Sequence, residues 1–100
     1  MKTMPKQLFW ANVRVPENPR VRFFAKAPEE KLGFRDVTQR VAKLVIEESD
    51  EESGFCSLLR LDAAGNLVWK TTHQSVQETK WHVEFEYGLP EEKWRPALEE

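Results

Sequence analysis

Cysteine is almost missing from this chain. Cys56 is the single one in 100 residues, which excludes an intrachain disulfide, the usual staple of small secreted domains. A reducing, cytoplasmic setting is therefore expected. No apolar run approaches the roughly 18 residues of a membrane-spanning helix, and none of signal-peptide length follows Lys2, so neither membrane insertion nor export is expected. Four glycines and six prolines are too few for a disordered tail. Neither a Gly-rich phosphate loop nor a nucleophile elbow occurs, and there is no fixed-period repeat or low-complexity tract. Histidine occurs twice, at 73 and 82, and no two of the His and Cys residues stand at the i, i+3 or i, i+4 spacing of metal ligands. No cofactor and no metal are expected on this reading, and zinc is not expected to bind tightly at neutral pH.

What is present suits one small core. The chain is 40% apolar and 11% aromatic, and chains of this length rarely hold two independent cores. A single domain over residues 1–100 is predicted, fraying at 1–6 and 95–100. Its marginal stability, on the order of 5–10 kcal/mol, disfavours a large buried polar cavity.

Residues 8–15 alternate, with Phe9, Ala11, Val13 and Val15 opposite Trp10, Asn12 and Arg14, the period of a half-buried strand. After the turn set Pro16 to Pro19, residues 20–27 resume the alternation, so the two segments read as a hairpin. Val37, Val41, Leu44 and Val45 fall at i, i+4, i+7 and i+8 and predict a helix capped by Asp36, with Gln39 completing a capping box. That helix should stop at the acidic run 47–52, read as a solvated loop. Residues 55–61 and 67–71 predict a second hairpin turning at Gly65 and Asn66. Ser75 with Glu78 opens a second helix over residues 76–87, and Gly88 with Pro90 closes it. The fold class is α+β, in the order ββαββα: a four-stranded antiparallel sheet with two helices on one face.

Charge is uneven. Residues 1–45 carry ten Lys or Arg against four acids, whereas residues 46–100 carry five against thirteen. On the predicted first hairpin, Trp10, Arg14, Arg22, Phe24 and Lys26 share one face, a basic aromatic surface of the kind that stacks bases and holds phosphates. The plainer reading, that the basic hairpin rests on the acidic half of its own chain, is favoured because the chain is acidic overall, with a net charge of −2.

The second helix carries a conflict. At 100° per residue, Val76, Val83 and Tyr87 cluster on one side and Trp81 and Phe85 on nearly the opposite one. Only one side can rest on a sheet, so the other needs a cover. The expected cover is the C-terminal segment with Leu89, Trp94 and Leu98, ahead of a second copy or another protein. His82, one turn from Glu78 and Glu86, reads as a surface ion pair.

The stretch from His73, Gln74 and Ser75 through Glu84, Phe85, Glu86, Tyr87 and Gly88 resembles the ending of small uncharacterised bacterial proteins. There a Trp or His before a Ser or Thr cap leads into a helix that closes on an acidic, aromatic and Gly run. The resemblance implies no activity, and Trp81 departs from it, standing where the pattern has a small residue. The favoured reading is a non-enzymatic module that binds another protein or itself through Trp81, Phe85 and Trp94. A nucleic-acid-binding domain on the N-terminal hairpin ranks second. A hydrolase or metal protein built on His73, His82 and nearby carboxylates ranks third.

Overall fold

The computed structural model describes residues 6–29, 31–49 and 54–97. Seven strands occur in it: β1 (Gln7–Asn12), β2 (Phe24–Lys26), β3 (Phe34–Asp36), β4 (Lys43–Glu48), β5 (Cys56–Leu61), β6 (Leu67–His73) and β7 (Arg95–Pro96). One α-helix, α1 (Val76–Tyr87), and 3₁₀ turns at Thr38–Arg40 and Glu91–Lys93 complete it. Strands β6-β5-β4-β1-β7 form a five-stranded antiparallel sheet, and β2-β3 a separate ribbon. The class is α+β as predicted, but with five strands plus two and one main helix in place of four strands and two helices.

The second half folds as its local signals require. Asp62 Oδ1 accepts the backbone N–H groups of Ala64 and Asn66 at 3.0 and 2.8 Å, and Gly65 supplies the positive φ of 88°, an Asx-type turn joining β5 to β6. Ser75 Oγ accepts the Glu78 N–H at 3.1 Å, and Gly88, at φ 70°, returns its N–H to the Glu84 carbonyl at 2.8 Å, so α1 is closed at both ends.

The first half departs from expectation. The predicted hairpin of 8–15 with 20–27 does not form, because β1 takes its partners from far along the chain. Phe9 to Asn12 pair with Ile46 to Lys43, and Trp10 also faces Arg95 across β7. The predicted fraying of residues 95–100 is corrected by this pairing at Arg95 and Pro96; residues 1–5 and 98–100 lie outside the described set. The predicted helix over Val37 to Val45 is absent as well. Asp36 does act as a cap, accepting the Thr38 N–H at 2.9 Å, but over a single 3₁₀ turn. Gln39 bonds the Pro16 carbonyl instead of closing a box. The residues that follow are the central strand β4, in which Leu44, Val45, Ile46 and Glu47 are all buried. A strand covered on both faces is a continuous apolar run, and such a run contains helical spacings by coincidence. Glu47 and Glu48, assigned to a solvated loop, belong to this strand. The rest of that acidic run, 50–52, is outside the described residues.

Register puts Ala11, Leu44, Ile46 and Leu58 on one sheet face. With Val41, Cys56, Val83 of α1 and Trp94 they form the core, against which Val76 and Tyr87 pack. Arg60 lies on the same face, 2% exposed. One of its guanidinium nitrogens donates to both carboxylate oxygens of Glu86 at 3.0 and 2.8 Å, and the other to Thr71 Oγ1 at 3.0 Å. The ring of buried Phe23 lies 4.5 Å from its guanidinium carbon, so the connection between β1 and β2 seals this end of the core.

Tyr87 is the only tyrosine. Burial pushes its phenol above the ordinary value, with the nearby Arg60 charge opposing. A raised folded value means that the proton is retained longer in the native state. The associated stability is therefore full below about pH 10 and is lost as pH rises through the folded value. In an alkaline titration followed by phenolate absorbance, the native chain should ionise later than the urea-unfolded chain. Coincident curves would show the ring to be solvated.

Candidate functional site

The outer side of α1 is where unusual surface collects. Thr79, Val83 and Glu86 face the sheet, and the opposite side carries Trp81 at 74% and Phe85 at 56% exposure. A depression of about 360 Å³ is lined by Trp81, His82 and Phe85. Arg20 lies with its guanidinium carbon 5.1 Å from the centre of the Phe85 ring. The expected internal cover is not there. Trp94 is only 7% exposed and belongs to the core with Ala11 and Leu44, while Leu89 packs against that same core; Leu98 lies outside the described residues. Of the three residues assigned to partner binding, the structure brings Trp81 and Phe85 together and places Trp94 in the interior.

A second exposed apolar surface lies on the β2–β3 ribbon. Register pairs Phe24 with Asp36 and Lys26 with Phe34, and alternation sends these four to one face. Phe24 and Phe34 are 49% and 55% exposed, and Leu32, in the turn, 87%. Lys26 and Lys31 are exposed beside them. Arg22 donates to Asp36 Oδ2 at 3.0 Å, and hydrogen bonds from Thr38, followed by that of Arg22, hold the Asp36 carboxyl below the usual carboxylate range.

The residues assigned to nucleic acid do not share a face. Trp10 lies on the five-stranded sheet, with the Lys43 ammonium 4.9 Å and the Arg95 guanidinium 5.7 Å from its ring centre. Arg14 follows β1 in an exposed connection, Arg22 is paired with Asp36, and Phe24 and Lys26 lie on the separate ribbon. The common surface required the hairpin that does not form.

One cluster escaped the spacing rule. His73 ends β6, and Gln74 and the Ser75 cap turn the chain into α1, so the strand end meets the first turns of the helix. His73, Glu78 and His82 each offer a ligand atom within 4.8 Å of the others. The imidazole centres are 4.9 Å apart at 39°, and His82 Nε2 stands 3.8 Å from Glu78 Oε1. Thr71 Oγ1 and His73 Nε2 share a 2.8 Å hydrogen bond. Burial foremost, then the charges of His82 and Arg60, push the His73 pKa below its ordinary value, with Glu78 opposing. His73 is therefore neutral at pH 7 and keeps a lone pair. The available signal was the i, i+4 pair Glu78 and His82 with a histidine just ahead of the cap.

No protein-family model, curated protein or solved structure matches this chain. No helix among the described residues is long and apolar enough to cross a membrane.

Proposed function

We propose that this chain is a self-associating binding module in which the aromatic side of α1 receives the β2–β3 ribbon of a second copy. The observation that carries the reading is the exposure of Trp81 and Phe85 on one helix side while Trp94, the residue nearest in sequence able to cover them, is in the core. Large aromatics in water mark interaction surfaces when they are contiguous.

Charge selects the occupant. Glu78 and Glu84 flank the aromatic pair on α1, so two helices laid face to face would oppose like charges. The ribbon offers Phe24, Phe34 and Leu32 beside Lys26 and Lys31, an apolar surface of the opposite sign. In a two-fold pair each copy gives its ribbon and receives the other's. The two contacts together would bury on the order of 1,000 Å², the lower limit for a specific interface.

Sedimentation equilibrium tests this. The intact chain should be a dimer at micromolar concentrations. Trp81→Glu and Phe34→Glu should each weaken it at least 30-fold, the effect of losing a central anchor of about 2 kcal/mol, with unchanged circular dichroism. Mixing the two variants should restore association in part, since one helix–ribbon contact survives in the mixed pair. A monomeric intact chain, or a dimer indifferent to Phe34→Glu, would sink the reading.

A further inference from the structure

We propose that His73, Glu78 and His82 form a binding site for one zinc-type divalent ion, fastening the end of β6 to the first two turns of α1. The donor set is two imidazoles and a carboxylate, the combination that zinc takes when three protein ligands leave a fourth position open. A harder ion such as Mg²⁺ or Ca²⁺ requires an oxygen-rich shell, which two imidazoles do not supply.

The geometry is close to that of a bound site. Ligand atoms about 2.0–2.2 Å from a tetrahedral ion lie roughly 3.3 Å from one another. The 3.8 Å between His82 Nε2 and Glu78 Oε1 requires closure of about half an ångström, and the 4.8 Å limit on the whole group about one and a half. Both helical ligands have room to move: their side chains are 52% and 37% exposed for His82 and Glu78, so small χ adjustments close the triangle without moving backbone. Ser75 fixes the backbone angle by capping α1.

The cluster also has its outer support. With Nε2 of His73 engaged by Thr71 at 2.8 Å, Nδ1 is the nitrogen left to coordinate, and Nε2–H then donates to the Thr71 hydroxyl. That oxygen is fixed in turn by the Arg60 guanidinium at 3.0 Å, itself held by Glu86. Such a partner on the distal nitrogen sets the tautomer and ring orientation of a metal-bound histidine. A surface ion pair of Glu78 with His82 needs neither His73 nor Thr71. The fourth position remains for water or for a donor atom brought by a bound molecule, and His82 lines both this cluster and the depression beside Trp81 and Phe85.

The test uses the untagged full chain, treated with chelator, and Zn²⁺ alone in isothermal calorimetry at neutral pH. One ion per chain with a micromolar or tighter Kd is expected, with a rise in Tm on loading. His82→Ala, at a half-exposed position, should fold normally and weaken Zn²⁺ at least tenfold; His73→Ala should do the same, and Glu78→Gln less. Co²⁺ in place of Zn²⁺ should give the visible d–d absorption of a tetrahedral site, lost in His82→Ala. A Zn²⁺ Kd above about 100 μM, or tight binding that His82→Ala or His73→Ala leaves unchanged, overturns the proposal.

Discussion

Replacing Arg60 by Met is expected to cost about 3–5 kcal/mol, the loss typical of removing one member of a buried ion pair. In a domain of this size, that is a large fraction of a total near 5–15 kcal/mol, and Tm should fall by roughly 15–30 °C. The reason is the partner left behind. Glu86 is 8% exposed and receives two hydrogen bonds from one Arg60 nitrogen, so without the guanidinium a carboxylate is stranded between α1 and the sheet. Arg60→Met with Glu86→Leu should recover most of the loss, because two apolar side chains of similar volume remove the desolvation cost together with the attraction. Urea unfolding of the two single variants and the double one closes a thermodynamic cycle, with a coupling energy of several kcal/mol expected. Additive losses would mean that water reaches the carboxylate in solution. Since Arg60 also holds Thr71, and Thr71 holds His73, the single variant should loosen the histidine cluster too.

What could be read in advance divides at about residue 55. The β5–β6 hairpin and α1 rest on signals a few residues apart: Asp62 to Asn66 in the turn, Ser75 and Gly88 at the helix ends. Each depends on backbone chemistry that neighbours cannot override. In the first half the strand character of Leu8 to Asn12 was legible from alternation, but its partners β4 and β7 were not. Alternation says which residues share a face and is silent on which strand lies alongside. The helix predicted from Val37 to Val45 failed for a related reason. Leu44 and Val45 lie on opposite faces of a strand buried on both sides, and burial on both sides erases the period that tells strand from helix.

For the candidate site, the opposition of Trp81 and Phe85 to Val83 was visible from helical geometry alone. The path of Trp94 was not, because a tryptophan after a helix can cover its outer side or enter the core with equal local signal. The histidine cluster was hidden because its members belong to different elements. His73 reaches Glu78 and His82 only once the Ser75 cap has folded α1 back against β6, and a rule of spacing within one helix registers the last two alone.

Truncation after Leu89 should therefore destabilise the chain itself rather than merely uncover a sticky patch. Trp94 is 7% exposed within the cluster of Ala11, Val41, Leu44, Ile46, Leu58 and Val83, and the cost of deleting a buried tryptophan side chain is about 3–5 kcal/mol. Trp94→Ala alone should show that loss, and Trp94→Phe a smaller one, because the phenyl ring refills part of the volume. Truncation adds the loss of β7, whose Arg95 and Pro96 pair with Trp10 and Phe9, and of the bond from the Ala97 N–H to the Leu8 carbonyl at 3.0 Å. It opens β1 as a free sheet edge, a surface prone to pairing with other chains. Trp81→Ala is the contrasting change: at 74% exposure, it should alter monomer stability by less than about 0.5 kcal/mol. Urea unfolding of Trp94→Ala, Trp94→Phe, Trp81→Ala and the truncated chain, at concentrations low enough to keep all of them monomeric, gives the ranking directly. The truncated chain should be weakest, Trp94→Ala next, Trp94→Phe milder and Trp81→Ala indistinguishable from the intact chain. A Trp81→Ala loss equal to that of Trp94→Ala would mean that Trp81 is covered within the monomer, and the proposed binding face would fail with it.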